Sequence, residues 1–398
     1  MMRLLVLFVG LAMLATPARA ADRNVVFFVA DDHGTEALGA YGNRVVKTPS
    51  LDQLALDGVR FTHAFATTAS CSASRSVLLT GVHNHRNGQY GHEHEYHHFS
   101  AFPNVRSLPV LLAEAGYRTA RGGKFHVAPE SVFRFQQVIT LRTLEAFIKA
   151  DSAKPFFVYY GTHEPHRPFN HDAEDRVDPR TVTVPPWLPD IPEVRDELAL
   201  YEASVRKVDK AFGMLVDTLK RTGTYEDTLI VYLSDNGAPF PGSKTNVYEP
   251  GIRLPLIVKK PGQARQGSVN TAMISWVDIT PTILDFAGVR IAPPPPSQPV
   301  EPGRFTNETP GPFASDLFAS KSWQGALARK LATFGPRTIQ AYTQRPAFEL
   351  YDLERDPLES TNLAADPKHA HVLADLKARI KAFQERTGDP WVIKWRYE

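Results

Sequence analysis

Residues Asn24–Ala30 read NVVFFVA, a near-continuous apolar run that ends abruptly in the polar sequence DDHG at 31–34. This pattern is typical of a strand buried on both faces of a sheet, with a polar loop at its carboxyl end. It recurs at 155–160 (PFFVYY), which runs into GTHEPH, and at 228–233 (TLIVYL), which runs into SDNG. We therefore predict three buried strands that each deliver polar residues at the same end.

Helical patterns lie between these strands. Residues 201–220 place five apolar side chains on one helical face, and 108–115 is a shorter candidate closed by Gly116. The five are Val205, Val208, Phe212, Leu215 and Leu219. Alternating strands and helices predict an α/β fold, a large mostly parallel sheet covered by helices on both faces. Ligands bind such sheets outside the carboxyl ends of the strands. This rule predicts that Asp31, Asp32, His163, Asp235 and Asn236 are neighbours in space.

The composition is that of an ordinary globular protein. The 398 residues are 43% hydrophobic and 22% charged, with 45 Lys and Arg against 43 Asp and Glu. These values exclude a disordered chain, a collagen and a basic nucleic-acid binder. Because the net charge is close to zero, any electrostatic recognition of a partner must come from a local patch.

The N-terminus has the form of a signal peptide. Arg3 precedes an apolar run at 4–15, and Ala18-Arg19-Ala20 is an Ala-x-Ala cleavage site. A buried first helix and a membrane anchor are the alternatives, but a run of about 12 residues is too short for a bilayer that needs roughly 20. We expect cleavage after Ala20 and export to the periplasm or the outside of the cell. Cys71 is the single cysteine, so the exported chain has no internal disulfide, which suits a periplasm.

The remaining chain divides in two. A catalytic domain is expected at 21–290, followed by a Pro-rich linker at 291–302 that contains four consecutive prolines at 293–296. A small C-terminal α+β unit is expected at 303–398, with a strand at 348–353 and an amphipathic helix at 372–385.

One motif carries specific chemistry: CSASR at 71–75, followed by LTG at 79–81. It resembles the signature of the sulfatases, which are formylglycine-dependent enzymes of the alkaline-phosphatase-like superfamily. The resemblance implies that a maturation enzyme oxidises Cys71 to Cα-formylglycine, whose hydrate is the nucleophile. One hydroxyl of that hydrate attacks sulfur, and the other later loses a proton so that sulfate leaves by elimination. The alternative is that Cys71 is a small buried apolar side chain.

The resemblance also implies a metal site and a set of catalytic residues. The metal is one Ca²⁺, which takes six to eight oxygen ligands. Its ligands would be Asp31, Asp32, Asp235, Asn236 and an oxygen of the modified Cys71. The catalytic residues implied are Cys71, Arg75, Lys124, His126, His163 and Lys244. Among these, Arg75 adds positive potential, while Lys124 and Lys244 hold sulfate oxygens. His126 is the base that triggers elimination, and His163 protonates the leaving group, although His166 competes with it for that role.

Six of the 14 histidines fall between His83 and His98. A zinc site is one interpretation, but cysteine ligands are lacking nearby apart from Cys71. We favour a loop that lines the substrate pocket, because it directly follows the proposed nucleophile. This run, together with 105–109, 123–130 and 235–241, looks like the N-sulfoglucosamine sulfohydrolases, the heparan N-sulfatases. The segments 127–156 and 291–345 depart from that pattern.

The sequence thus predicts a sulfatase that removes the N-sulfate of glucosamine in heparin or heparan sulfate. The alternatives are an O-sulfatase on glycans or aryl sulfates, a phosphomonoesterase or phosphodiesterase of the same superfamily, and a non-enzymatic glycan-binding protein. The expected partners are a sulfated glycan and the maturation enzyme, without nucleic acid or a membrane span. A homodimer is left open.

Overall fold

The computed structural model describes residues 23–94, 98–169, 176–290 and 315–396. The predicted signal peptide at 1–20 and the predicted linker at 291–302 lie outside these residues. In the described part of the chain, no helix is both long and apolar enough to cross a membrane.

Eight strands of the described chain form one mixed sheet in the order β4-β3-β5-β1-β6-β7-β2-β8. The strands β4, β3, β5, β1 and β6 are mutually parallel, and only β7 runs against its two neighbours. Their bounds are β1 Asn24–Ala30, β2 Val59–Phe65, β3 Arg118–Gly123, β4 Gln137–Ile139, β5 Phe156–Gly161, β6 Thr228–Ser234, β7 Leu256–Lys259 and β8 Ser268–Ser275. The three strands predicted from the apolar runs are β1, β5 and β6, which lie side by side at the centre.

Strand β1 shows why these runs are apolar throughout. Successive side chains of a strand point to opposite faces of the sheet, and both faces here are covered. Val25, Phe27 and Val29 pack with the apolar side chains of α2, α4 and α8. Val26, Phe28 and Ala30 pack with those of α1, α5 and α6. These helices are α1 Pro49–Asp57, α2 Cys71–Thr80, α4 Leu108–Glu114, α5 Leu144–Lys149, α6 Pro192–Arg221 and α8 Ile279–Phe286. The predicted α/β class, with helices on both faces, is confirmed.

The short helices α3 Asn84–Asn87 and α7 Glu249–Ile252 lie in the connections after α2 and before β7. The helix predicted at 201–220 forms the last two thirds of α6, and all five of its predicted core residues are fully buried. Helix α6 carries a further apolar cluster near its start, in which Val194 and Leu198 meet Trp323 and Phe334 of the C-terminal region.

The C-terminal region contains α9 Ser315–Phe318, α10 Lys321–Ala328, β9 Thr333–Phe334, β10 Arg337–Thr338, α11 Ile339–Thr343 and α12 Ala370–Thr387. The amphipathic helix predicted at 372–385 is present as α12. The strand predicted at 348–353 is wrong, since this segment is irregular. The side chain of Asn362 bonds the main chain of Phe348 and Leu350, so these groups have no partner strand.

Candidate active site

The polar residues that follow the central strands lie at one edge of the sheet. In the parallel register, Ala30 pairs with Ser234, Val29 with Gly161, and Gly161 with Gly123. Asp31, Lys124, Thr162 and Asp235 therefore leave the sheet at the same level. The residues that the strand pattern predicts to be neighbours therefore lie together at the carboxyl ends of β1, β5 and β6.

Cys71 is the first residue of α2 and faces this edge. All ten residues of α2 are buried, and Cys71 is 0% exposed. Its Sγ lies 3.7 Å from Asp32 Oδ1. Burial raises the pKa of the Cys71 thiol well above its usual value, so the unmodified thiol is neutral and a weak nucleophile near neutral pH.

Arg75, one turn further along α2, ties the helix to the strand ends. Its Nε donates to Asp235 Oδ2 at 2.7 Å, and its Nη1 donates to Tyr159 Oη at 2.8 Å and to the carbonyl oxygen of Lys124 at 3.1 Å. Its Nη2 lies 3.7 Å from Asp31 Oδ1. A fully buried guanidinium with these partners holds the carboxylates in place as well as contributing positive charge.

Gly161 and Gly123 allow this close packing. A Cβ on Gly161 would overlap the carbonyl oxygen of Lys124 and Arg75 Nη1, and a Cβ on Gly123 would overlap the carbonyl oxygen of Gly161. Gly123 also has a φ of +64°, a conformation that favours glycine. The two glycines therefore let β3 and β5 end side by side against the guanidinium.

We call Asp31, Asp32, Asp235 and Asn236 the acidic floor. All four are 0% exposed. Asn236 Nδ2 donates to Asp32 Oδ1 at 2.7 Å, and the main-chain N–H of Asp32 donates to Asp235 Oδ1 at 3.0 Å. Asp32 has a φ of +66°, a strained conformation of the kind found at functional sites.

The acidic floor has the donor set of a Ca²⁺ site. Asp31 Oδ1 and Asn236 Oδ1 are buried and accept no hydrogen bond from the residues that the structure describes. Buried polar atoms are rarely left without a partner, and carboxylate and amide oxygens are the ligands that Ca²⁺ prefers. One oxygen each of Asp31 and Asp235 lies within 4.8 Å of Cys71 Sγ. The residues present therefore fit the ion.

Two lysines face the acidic floor. Lys124 Nζ lies 2.5 Å from Asp31 Oδ2, and Lys244 Nζ lies 2.9 Å from Asp32 Oδ2. Burial opposes the charged form of each lysine, but the carboxylates outweigh it and raise both lysine pKa values. Both ammonium groups therefore stay charged beside Cys71.

A cavity of about 480 Å³ opens above the acidic floor, and Lys124, Lys244 and several histidines line it. We call His92, His94, His126, His163 and His166 the histidine rim. Burial lowers the pKa of His126 to about 4. Burial and then the charge of Lys124 lower the pKa of His163, which is exposed at the surface. His166 lies deeper, with its Nε2 3.9 Å from Asp32 Oδ2, so both candidates for the proton donor reach the cavity.

Three side chains at the site were not predicted. Glu93 Oε2 lies 3.0 Å from His126 Nε2. Tyr159 receives a hydrogen bond from Arg75 although it belongs to an apolar strand. Asp316 lines the cavity, 3.5 Å from Lys244 Nζ. Glu93 lies between His92 and His94 in the histidine-rich run, which is a sequence signal for a site residue. Asp316 has no such signal, because it reaches the cavity only through the packing of the C-terminal region.

A buried cluster of oxygen ligands lies below one cavity beside Cys71, with the buried Arg75 and the cavity-lining Lys124 and Lys244 around it. This arrangement is typical of a hydrolase acting on tetrahedral anions. More particularly, the chain belongs to the sulfatase family, whose model matches residues 23–141 and 130–289.

Individual relatives agree with this assignment. The chain is 33% identical to N-sulphoglucosamine sulphohydrolase of Homo sapiens over 94% of this chain and 92% of that protein. It is 25% identical to N-acetylglucosamine-6-O-sulfatase of Bacteroides thetaiotaomicron over 96% and 90% of the two chains. A protein solved in complex with its substrate D-glucosamine-2-N,6-O-disulfate shares the fold, with a TM-score of 0.66, 20% identity and coverage of 92% and 98%.

Proposed function

We propose that this sulfatase removes the N-sulfate of glucosamine in heparin or heparan sulfate. The observation that carries the chemistry is the convergence of Cys71, Arg75, Lys124 and Lys244 on the acidic floor. The choice of an N-sulfate is supported by the 33% identity to a sulphohydrolase of N-sulphoglucosamine along nearly the whole of both chains.

Cys71 is proposed to be converted to Cα-formylglycine by a separate maturation enzyme. When present and hydrated, this group supplies one hydroxyl as nucleophile and a second hydroxyl through which sulfate leaves without attack by water. The position of Cys71 at the start of α2 suits the role, because the N-terminus of a helix favours negative charge.

The acidic floor is proposed to hold one Ca²⁺ through Asp31, Asp32, Asp235 and Asn236. The ion, when bound, offsets the negative charge that develops on the sulfuryl oxygens. Arg75 keeps Asp235 and Asp31 oriented toward it. Lys124 and Lys244 contact floor carboxylates and also line the cavity, so they are placed to bind sulfate oxygens directly.

The histidine rim is proposed to move the protons. His163 donates a proton to the glucosamine nitrogen as the nitrogen–sulfur bond breaks, and His126 accepts the proton that must be lost when sulfate departs. A neutral His126 is ready to act as a base, since its pKa is about 4. His166 is the alternative donor.

The two candidate donors can be separated by leaving-group rescue. Loss of the true donor slows release of the amine much more than release of a nitrophenolate, which needs no proton. We expect His163→Ala to show this selective loss and His166→Ala to affect both substrates equally. The reverse result would assign the role to His166.

Export, with removal of residues 1–20, and the domain division into 21–290 and 303–398 remain predictions. Edman or mass analysis of the mature N-terminus in the native host tests the first. An N-terminus at Ala21 is expected, and retention of Met1 in the exported protein would contradict it.

The main experiment is sulfate release by the chain co-expressed with a formylglycine-generating enzyme, in Ca²⁺. N-Sulfoglucosamine should be hydrolysed faster than 6-O-sulfated glucosamine, an aryl sulfate or a phosphomonoester. Preference for the 6-O-sulfate would instead favour the O-sulfatase alternative, which the 25% identity to an N-acetylglucosamine-6-O-sulfatase motivates.

The same chain expressed without the maturation enzyme is the matched control. The Cys71 peptide should lose about 18 Da on conversion of thiol to aldehyde, and activity should follow the converted fraction. Full activity of the thiol form or of Cys71→Ala would contradict the proposed nucleophile.

A further inference from the structure

Three imidazoles of the histidine rim lie together: His92, His94 and His126. One nitrogen of each lies within 4.8 Å of those of the other two. Their ring centroids are 4.9 to 5.3 Å apart, with planes tilted by no more than 19°. Two of them come from the loop after α3 and the third follows β3, so separate parts of the chain bring three nitrogen donors to one side of the cavity.

The segment that carries His92 and His94 is anchored to α2. Asn84 Nδ2 donates to the carbonyl oxygens of Ala73, at 2.7 Å, and of Gln89, at 2.8 Å. Gln89 Nε2 donates to Ser72 Oγ at 2.6 Å. Ser72 Oγ in turn donates to Glu93 Oε2 at 3.2 Å. These bonds fix the loop before the histidine pair and at Glu93, between the two histidines, which favours a preorganised set of donors.

The electrostatics of the cluster suit a cation. Imidazole nitrogens are common ligands of transition-metal ions, and the three rings here present one nitrogen each within 4.8 Å of the others. The Glu93 carboxylate lies 3.0 Å from His126 Nε2 and adds an acidic side chain beside the three imidazoles. Three imidazole rings and the Glu93 carboxylate thus surround the same small volume.

We propose that His92, His94 and His126 form a second metal site, which binds one Zn²⁺ or a similar transition-metal ion and thereby inhibits the enzyme. Imidazole nitrogens favour Zn²⁺, Cu²⁺ and Ni²⁺, whereas Ca²⁺ takes oxygen ligands, so this site differs in kind from the acidic floor. Tetrahedral Zn²⁺ with nitrogens at about 2.0–2.1 Å places them about 3.4 Å apart. The nitrogens, which lie within 4.8 Å of one another, therefore have to move closer by up to about 1.4 Å, and rotation of the stacked rings toward a common point must supply this shift.

The inhibition rests on the proposed function, because His126 is the proposed base. A metal ion on His126 occupies the lone pair that would accept the proton. Metal binding itself does not depend on that role, so the two parts of the proposal can be tested separately.

Binding is tested with Zn²⁺ by calorimetry on the full chain carrying Cys71→Ala, in excess Ca²⁺. That background removes the thiol, which could itself take Zn²⁺ together with Asp31 and Asp235 or with Asp32 and His166. We expect one Zn²⁺ per chain, and at least a tenfold weaker affinity in both His92→Gln and His94→Gln. The matched control is His85→Gln, since His85 stacks on His83 at 5.6 Å but belongs to none of the three-ligand groups found among the described residues.

The result that overturns the site is an unchanged Zn²⁺ affinity in the His92→Gln, His94→Gln double variant, or no Zn²⁺ binding at all. Thermal unfolding of each variant shows that it is folded. Co²⁺ is a second probe, because a four-coordinate nitrogen site gives visible absorption that should disappear in the same variants and persist in His85→Gln.

Inhibition is tested on the matured enzyme, with each variant compared with its own rate without Zn²⁺. Zn²⁺ should inhibit the parent and the His85→Gln control, and at least tenfold more Zn²⁺ should be needed for His94→Gln. If the parent binds Zn²⁺ at this site and keeps its full rate, the inhibitory role is overturned. Failure of the proposed function would instead appear as no sulfate release before Zn²⁺ is added.

Discussion

The acidic floor and the histidine rim are built in opposite ways. The floor comes from the ends of β1 and β6, is fully buried, and is held by the buried charges of Arg75 and Lys244. The rim comes from loops, ranges from half-buried to exposed, and depends on one carboxylate and several hydroxyl and amide contacts. We therefore expect substitutions in the floor to change both stability and activity, and substitutions in the rim to change activity at little cost to the fold.

Arg75→Gln should have the largest effect, because it removes the buried cation that holds the carboxylates of the acidic floor. It leaves the Asp235 carboxylate buried without its cation, a change that typically costs about 3–5 kcal/mol. We expect a lower free energy of unfolding in urea, and loss of sulfate release by at least about 10³-fold. Arg329→Gln is the control, since Arg329 pairs with Glu193 at the surface; its unfolding midpoint should not move. An unfolding midpoint for Arg75→Gln equal to that of the parent would show that the floor does not depend on this ion pair.

Lys244→Gln should affect catalysis more than stability. The Lys244 side chain is 4% exposed, contacts Asp32 and lines the cavity. Loss of its ammonium group should therefore lower kcat/KM for sulfate release by about 10²–10³-fold. Lys259→Gln is a matched control, because Lys259 is equally buried and donates to the carbonyl oxygen of Tyr225, away from the cavity. If both variants lose the same activity, the effect of Lys244 is structural.

Glu93→Gln should change the proton transfer assigned to His126 and leave the stability of the acidic floor unchanged. We expect kcat to fall about tenfold through loss of orientation of His126. The contact with Glu93 raises the pKa of His126, against the larger lowering by burial, so the variant should have a still lower pKa. A base works in its neutral form, and activity falls as the pH drops through its pKa. The acid limb of kcat should therefore move to lower pH.

Glu130→Gln is the control for this pH profile. Glu130 pairs with Arg121 at the surface, and its side chain is 74% exposed. Its pH profile should coincide with that of the parent. A shift of the acid limb to higher pH in Glu93→Gln, or none at all, would remove Glu93 as the positioning residue for His126.

The floor could be predicted from the sequence and the rim only in outline, for a physical reason. Apolar runs ending in DDHG, GTHEPH and SDNG locate strand ends, and parallel pairing puts strand ends together. No comparable rule sets which loop residues meet. The contact of Glu93 with His126 joins two loops, and the pairing of Arg75 with Asp235 depends on how α2 packs on the sheet. The strand predicted at 348–353 is absent for the same reason. The side chain of Asn362, which is distant in sequence, hydrogen-bonds the main chain of this segment in place of a neighbouring strand.

Asp316→Asn should have the smallest effect on activity. It tests whether the C-terminal region, which contributes Asp316 to the cavity, affects substrate binding. Asp316 Oδ2 lies 3.5 Å from Lys244 Nζ, and the Asp316 side chain is 29% exposed at the cavity. Its negative charge opposes an anionic substrate, but water screens it, and such partly exposed pairs contribute little. We expect KM for the sulfated substrate to fall about two- to fivefold with kcat unchanged, and the difference to shrink in high salt.

Asp190→Asn is the control for this last comparison, because Asp190 pairs with Arg195 and does not line the cavity. Its KM should equal that of the parent. A rise in KM for Asp316→Asn would mean that the carboxylate binds the glycan directly, as an acceptor for a sugar hydroxyl or for the amine that is released. The C-terminal region would then take part in substrate selection, and the rim would extend beyond the histidines to α9.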